Sequence, residues 1–238
     1  MGISAFQFLV LVIGLVSIIN YLHLWRKPVV ATTHVINLKS SVERYTQFMK
    51  NANTAGINVN RWEAIDGSTI QESDCCRLGI SKYIYKYAKI HKQPGLIGCY
   101  LSHRSLLNHL GTIRCSDNDA HIIFEDDAYI PPNFWKQWDS LVKDLPHDWD
   151  ILQLGVTFPN LQSVKGSIHK GIRCKGNVGG FAYAVRHSSL KKICKHIEYM
   201  YDPMDVMIRN QWQTWHIYIA WPQICPHNDG GVSTIVSS

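Results

Sequence analysis

A short apolar run that ends in three consecutive carboxylates constrains this sequence more than any other feature. The run spans His121–Phe124 and is followed at once by Glu125, Asp126 and Asp127. Short apolar runs are typical of buried central strands, whose polar ends emerge at the sheet edge where open α/β folds bind ligands. Adjacent carboxylates repel one another, and a divalent cation bridging them to a phosphate would offset that cost. The pattern therefore indicates metal-assisted diphosphate chemistry, with a solvated turn after the strand as the alternative.

Strands alternate with amphipathic helices along most of the chain. Strand patterns occur at residues 33–38, 59–65, 149–155 and 181–185, and helical patterns follow Ser41, Gly95, Pro132 and Ser189. This alternation predicts an α/β fold with a mainly parallel central sheet covered by helices on both faces. The 238 residues suffice for one such domain, and 46% hydrophobic with 18% charged residues excludes wholesale disorder.

The first residues form a separate region. Residues 3–25 contain no Asp, Glu, Lys or Arg, a length that can span a bilayer, and Arg26 and Lys27 follow. We therefore predict one N-terminal transmembrane helix within a membrane anchor at 1–27, a linker at 28–32 and a folded domain at 33–238. A cleaved signal peptide and a buried core helix are the alternatives.

The same region predicts a single-pass membrane protein without deciding its orientation. Arg26 and Lys27 lie after the span, so the positive-inside rule would place the domain in the cytosol. An ER or Golgi lumen would require the opposite arrangement. Seven cysteines, an odd number without metal-type spacing, do not decide between the two.

Charge alone does not identify a partner. The net charge of +6 favours an anionic ligand but is spread along the chain. Residues 82–92 interleave lysines with tyrosines, as single-strand nucleic-acid binders do. One short basic stretch is more typical of a solvated face or an acceptor-side loop, so we predict no nucleic-acid partner.

Three further polar residues are candidates for site roles. Asp205 lies at the expected start of a helix, where the helix dipole would favour its ionised form and allow it to act as a base. Asp66 precedes a glycine at a strand end, where it could bind a ribose or simply form an Asx turn. The polar tail could bring His227 or Asp229 to a metal, or could be only a terminal loop.

Seven short motifs, taken in order and spacing, strongly resemble glycosyltransferase family 25. They are Val35–Leu38 with Arg44, Ala64–Gly67, Gly98–His103, Ile123–Asp127, Trp149–Leu152, Gly180–Val185 and Pro203–Asp205. The family includes bacterial lipooligosaccharide galactosyltransferases and collagen hydroxylysine galactosyltransferases, and the likeness covers about residues 33–235. One departure is Leu96, where relatives often carry Glu.

The resemblance implies a GT-A type, Rossmann-like domain with a nucleotide-sugar donor and a divalent cation, usually manganese with magnesium as the alternative. It makes Asp127 the principal metal ligand, assisted by Glu125, and His227 from the tail is a further candidate ligand. Residues implied to hold the nucleotide or shape the donor pocket are Asn37, Leu38, Arg44, Asp66, Gly98, Ser102, His103, Glu125 and Asp126.

The implied reaction is inverting transfer of a hexose, galactose or glucose, from a UDP-sugar to a hydroxyl group, with Asp205 as the base. A glycan, a lipid-linked glycan or a hydroxylysine-type protein acceptor would fit. Two other functions remain open: a metal-dependent phosphohydrolase acting on nucleotide sugars, and a catalytically silent nucleotide-sugar-binding membrane protein.

Overall fold

The computed structural model describes residues 10–14, 28–157, 161–171 and 179–227. The described strands form one eight-stranded sheet in the order β2-β1-β3-β7-β4-β8-β6-β5. Their bounds are β1 Val30–Asn37, β2 Asn60–Glu63, β3 Ala120–Glu125, β4 Ile151–Gln153, β5 Leu161–Lys165, β6 Ile168–Gly171, β7 Ala182–Arg186 and β8 Ile217–Ala220. The α/β class is therefore confirmed.

Helices lie on both faces of this sheet, as the sequence predicts. Their bounds are α1 Val42–Thr54, α2 Lys82–Ile90, α3 Pro94–Leu110, α4 Phe134–Asp144, α5 Leu190–His196 and α6 Met204–Arg209. Side chains of α1 and α4 pack into one hydrophobic core, and those of α2, α3, α5 and α6 pack into the other. Strand β3 serves both cores, because Ile122 and Phe124 face the first and Ile123 the second.

The sheet is mixed, so the prediction of a mainly parallel sheet is wrong. Strand β1 is parallel to β2 and β3, and β4 is parallel to β8. The other pairings among the described strands are antiparallel, including those of β7 with β3 and β4. Two strands that are joined by one connection can be parallel only if that connection is a long crossover, usually a helix. The described part of the connection between β4 and β7 contains the β5–β6 hairpin in place of such a helix.

The N-terminal boundaries also differ from expectation. Strand β1 begins at Val30, so residues predicted as linker belong to the sheet and pair with β3. The predicted anchor lies outside the described residues, apart from a helical stretch at 10–14. Within the described ranges, every helix is too short or too polar to span a bilayer.

Candidate functional site

The acidic motif lies where two parallel strands end at the same edge of the sheet. Glu125 is the last residue of β3, and Asn37 is the last residue of the neighbouring β1. A cavity opens at this edge, and all nine residues predicted to contact the nucleotide or shape the donor pocket line it. They are Asn37, Leu38, Arg44, Asp66, Gly98, Ser102, His103, Glu125 and Asp126.

Arg44 joins two of the three acids. Its Nη2 atom lies 2.5 Å from Asp126 Oδ1 and 2.8 Å from Asp127 Oδ2. The amide of Asn37 donates to the other oxygen of Asp126 at 2.5 Å, and Asn37 Oδ1 accepts from Arg61 at 2.5 Å. Arg61 was missed by sequence reasoning, although it lies on β2 directly beside β1. Asp126 is thus held by donors on two sides.

Asp127 differs from its neighbour because part of its carboxylate is unsatisfied. Its Oδ1 atom is buried and has no hydrogen-bond partner among the described residues. Burial and the charge of Glu125 raise the pKa of Asp127 to about 6, against the opposing charges of Arg44 and His227. A buried carboxylate oxygen without a partner is costly and suits a cation ligand.

The tail brings His227 to the acidic motif, which is one of the alternatives that the sequence left open. Its Nε2 atom lies 3.5 Å from Asp127 Oδ2. His227 and the residue before it are held by a bridge between Ala128 and His227 and by the Tyr129 amide, which donates to Pro226 O at 3.0 Å. The other predicted tail residue, Asp229, lies outside the described residues.

Glu125 faces a different set of partners. His103 Nε2 lies 3.2 Å from Glu125 Oε1, and His103 Nδ1 is hydrogen-bonded to the Tyr183 hydroxyl at 2.9 Å. Burial acts to raise the pKa of Glu125, but the hydrogen bond and charge of His103, together with the charges of Arg44 and His227, hold the pKa below its usual value. The ligand atoms of Cys99, His103 and Glu125 lie within 4.8 Å of one another. Sequence reasoning missed the contributions of Cys99 and Tyr183.

Two predicted residues shape the cavity through the backbone. Ser102 donates to Gly98 O at 2.6 Å and accepts from the Ile65 amide at 2.8 Å, which ties α3 to the end of β2. Asp66 forms the Asx turn considered above, because its Oδ1 accepts from the Ser68 amide at 2.9 Å. Hydrogen bonds from Ser68 lower the pKa of Asp66.

Asp205 lies at the second position of the six-residue helix α6 and accepts from the Val206 amide at 2.8 Å. Burial and the charge of Glu125 raise the pKa of Asp205 despite that bond, so they oppose the ionised form that a position at a helix start would favour. Its charge also helps to raise the pKa of Cys99, which lines the cavity, whereas Asp205 itself is not among the lining residues.

Comparison with known proteins agrees with this arrangement. The model described as "Glycosyltransferase family 25 (LPS biosynthesis protein)" matches residues 30–208, more than half of the chain. The chain therefore belongs to glycosyltransferase family 25. The match contains the cavity residues and Asp205, and it ends before His227.

The individual relatives share only 26–28% of the matched residues with this chain. A glycosyltransferase 25 family member of Anopheles gambiae is 28% identical over 51% of this chain and 21% of its own length. Procollagen galactosyltransferase 1-A of Xenopus laevis is 26% identical over 51% of this chain and 20% of its own length. A probable inactive glycosyltransferase 25 family member 3 of Rattus norvegicus is 28% identical over 51% of this chain and 22% of its own length. The matched region spans about a fifth of these relatives.

Proposed function

We propose that this chain is a nucleotide-sugar-dependent hexosyltransferase that uses a divalent cation. The observation that carries the proposal is the cavity at the carboxyl edge of the sheet, where nine candidate donor-binding residues meet beside the buried, unpartnered oxygen of Asp127 in the described structure. Family membership supports the transferase class over other diphosphate chemistry. The donor is UDP-galactose or UDP-glucose.

Within this proposal, Asp127 holds the cation, Mn²⁺ or Mg²⁺, with Glu125 and His227 as further ligands. A bound cation supplies Lewis-acid stabilisation of the charge that develops on the departing diphosphate. Arg44 lies between Asp126 and Asp127 and adds positive charge at the same edge. Asn37, Leu38 and Asp66 contact the nucleotide, while Gly98, Ser102 and His103 form the wall beside the sugar.

Asp205 is the proposed base. The acceptor hydroxyl gives its proton to the Asp205 carboxylate while its oxygen bonds to the anomeric carbon and the bond from that carbon to the diphosphate breaks. This single displacement inverts the anomeric configuration. A buried carboxylate with a raised pKa suits such a role, because a base is most effective when its pKa lies near the working pH.

A catalytically silent nucleotide-sugar-binding protein is the second candidate. Arg44 already neutralises part of the charge on Asp126 and Asp127, and relatives from rat and mouse carry the word inactive in their names. The sets of three candidate ligands found among the described residues also leave out Asp127 and His227.

The acceptor we propose is a hydroxyl on a glycan, a lipid-linked glycan or a hydroxylysine-type protein, the last because one relative is named a procollagen galactosyltransferase. Attachment to a membrane through residues 1–27 remains a prediction. It would favour a membrane-associated acceptor on either side of the bilayer.

A donor and acceptor screen tests these alternatives. The protein is incubated with UDP-galactose, UDP-glucose and other nucleotide sugars, with Mn²⁺, Mg²⁺ or a chelator, and with acceptors of the three classes. Metal-dependent release of UDP with a mass increase of one hexose on the acceptor supports the transferase. Free sugar or sugar phosphate without acceptor elongation indicates the phosphohydrolase. Nucleotide binding without turnover under any condition supports the silent protein.

A further inference from the structure

A second group of metal-ligand side chains lies at the opposite end of β3 from the acidic motif. It consists of Cys115, His121 and His187, whose ligand atoms all lie within 4.8 Å of one another. His121 is the second residue of β3 and Glu125 is the last. Four residue steps along the strand, about 13 Å, separate His121 from Glu125. The two groups therefore do not share a ligand or a cavity wall.

The distances within this group approach those of ligands on one tetrahedral metal ion. His121 Nε2 lies 3.0 Å from His187 Nδ1 and 3.8 Å from Cys115 Sγ. On a tetrahedral zinc ion, two nitrogens lie about 3.3 Å apart and a nitrogen and a sulfur about 3.6 Å apart. Shifts of a few tenths of an ångström would bring these two pairs to that spacing, and the third pair, Cys115 with His187, lies within 4.8 Å.

His121 already has the outer hydrogen bond that histidine ligands usually make. Its Nδ1 atom is 2.7 Å from the Thr32 hydroxyl on the neighbouring strand β1. When Nδ1 donates its hydrogen to that hydroxyl, the lone pair of Nε2 points to the other two ligands, which is the tautomer that metal binding requires. His121 is fully buried, so its ring is also held by packing.

The backbone keeps the three ligand-bearing segments together. In the antiparallel β3–β7 register, His121 faces Val185, and His187 follows two residues later on the same side. The His187 amide donates to Asp119 O at 2.9 Å, and the Ser188 amide donates to Asp117 O at 3.1 Å. These bonds fasten the turn after β7 to the loop that carries Cys115.

We propose that Cys115, His121 and His187 form a zinc-class transition-metal site, with one coordination position left to water. A thiolate and two imidazoles select zinc or cobalt over manganese or magnesium, which prefer oxygen ligands. Binding displaces the thiol proton of Cys115 to solvent and leaves both imidazoles neutral. The ion joins the start of β3 to its preceding loop and to the end of β7, and it stabilises the fold through that link.

The test uses the whole chain, stripped of metal with a chelator and then titrated with Co²⁺ and, separately, Zn²⁺. We expect a thiolate-to-cobalt charge-transfer band at one equivalent that Zn²⁺ removes and excess Mn²⁺ does not. Cys115→Ser should abolish the band, and His187→Ala should weaken Co²⁺ binding at least about 10-fold. The matched controls Cys76→Ser and His91→Ala change exposed residues elsewhere and should behave like the unaltered protein.

A measurement on the unaltered protein guards against misfolded variants. Bound Zn²⁺ should protect Cys115 from alkylation, mapped by peptide mass spectrometry, while exposed Cys76 remains reactive. Absence of the cobalt band in folded protein, its persistence in Cys115→Ser, or protection of Cys99 in place of Cys115 would each overturn the proposal.

Discussion

The two ends of β3 present opposite kinds of side chain within one strand. At the carboxyl end, Glu125 and Asp126 line a cavity, and Arg44 pairs with Asp126 and with the next carboxylate, Asp127. At the amino end, His121 lies among another histidine and a thiol, and burial lowers its pKa to about 4, so it is neutral at pH 7. Oxygen ligands suit hard cations, whereas nitrogen and sulfur suit softer ones. The comparison predicts that changes at one end leave the other end intact.

The largest effect is expected at the carboxyl end from Asp127→Asn, which keeps the shape and removes the charge. Transfer should fall by about 1,000-fold, because Lewis-acid stabilisation is worth several kcal/mol. The rate of hexose transfer with added Mn²⁺ is the measurement. Asp144→Asn removes a carboxylate from a partly exposed ion pair on α4 and should retain full activity.

Zinc-class binding at the amino end should be unchanged in Asp127→Asn. A loss of cobalt binding in that variant would show that the two ends are not independent. Full transfer activity in the same variant would remove Asp127 from the proposed metal site.

The next effect concerns the base. Asp205→Asn should lower kcat by about 100-fold and leave donor binding unchanged, because the side chain would still occupy its place but could not accept a proton. Steady-state kinetics and UDP binding by calorimetry separate the two quantities. A rise in KM for the donor with unchanged kcat would contradict the assignment.

The pH profile sharpens the same point. Because the pKa of Asp205 is raised and that of Asp127 is about 6, both carboxylates become ionised only as the pH rises. At limiting Mn²⁺, where protonation of Asp127 competes with the cation, we expect kcat/KM to fall as the pH is lowered through about 6. A profile that is flat from pH 7 to pH 5 would contradict both roles.

A smaller effect is expected where the cavity wall is tightly packed. A Cβ atom on Gly98 would lie 2.5 Å from Ile65 O, so Gly98→Ala must separate α3 from the turn after β2. We expect the free energy of unfolding to fall by about 1–3 kcal/mol and UDP binding to weaken. Denaturant unfolding and calorimetry measure the two effects.

Gly111→Ala is the matched control. Gly111 ends α3 in a right-handed helical conformation, and its nearest contact for an added Cβ is 3.4 Å. Alanine fits such a position, so stability should stay within about 1 kcal/mol of the original or increase. Equal losses in both variants would mean that the close packing at Gly98 is not the cause.

The smallest expected effect is on the pH dependence of the free energy of unfolding, and it arises from His34 in strand β1. Burial, with the charge of His109, lowers the pKa of His34 to about 4, and neither ring nitrogen has a hydrogen-bond partner among the described residues. The unfolded chain binds a proton near pH 6.5 and the folded chain does not, so stability falls on acidification. The loss attributable to His34 between pH 7 and pH 6 is about 0.7 kcal/mol.

His34→Leu should remove that part of the pH dependence, whereas the exposed control His91→Leu should keep it. Unfolding in urea at both pH values gives the difference. Asp127 acts in the opposite direction, because its raised pKa favours the folded state as the pH falls, but it is common to all three proteins and cancels. Identical slopes in His34→Leu and the unaltered protein would contradict the buried neutral histidine.

Local pattern and family resemblance together anticipated much of the fold and cavity. The apolar stripe Phe134, Trp138, Leu141 and Val142 is the buried face of α4, because helical spacing alone aligns these residues. Asn37 and Glu125 meet because both end parallel neighbouring strands. The direction of β7 was not readable, since nothing in its apolar sequence distinguishes a parallel from an antiparallel partner.

The sequence by itself determined many of the strands and helices, which of their faces are buried, and that three carboxylates end an interior strand, because periodicity and turn chemistry act over a few residues. It did not indicate helix α2 or strands β5, β6 and β8. Only the tertiary structure decided that Arg44 pairs with two of those acids, that burial raises the pKa of Asp205, and that Cys115, His121 and His187 converge. These outcomes depend on strand order, register and distance from solvent. Such quantities arise between residues far apart in the chain, and no local pattern carries them.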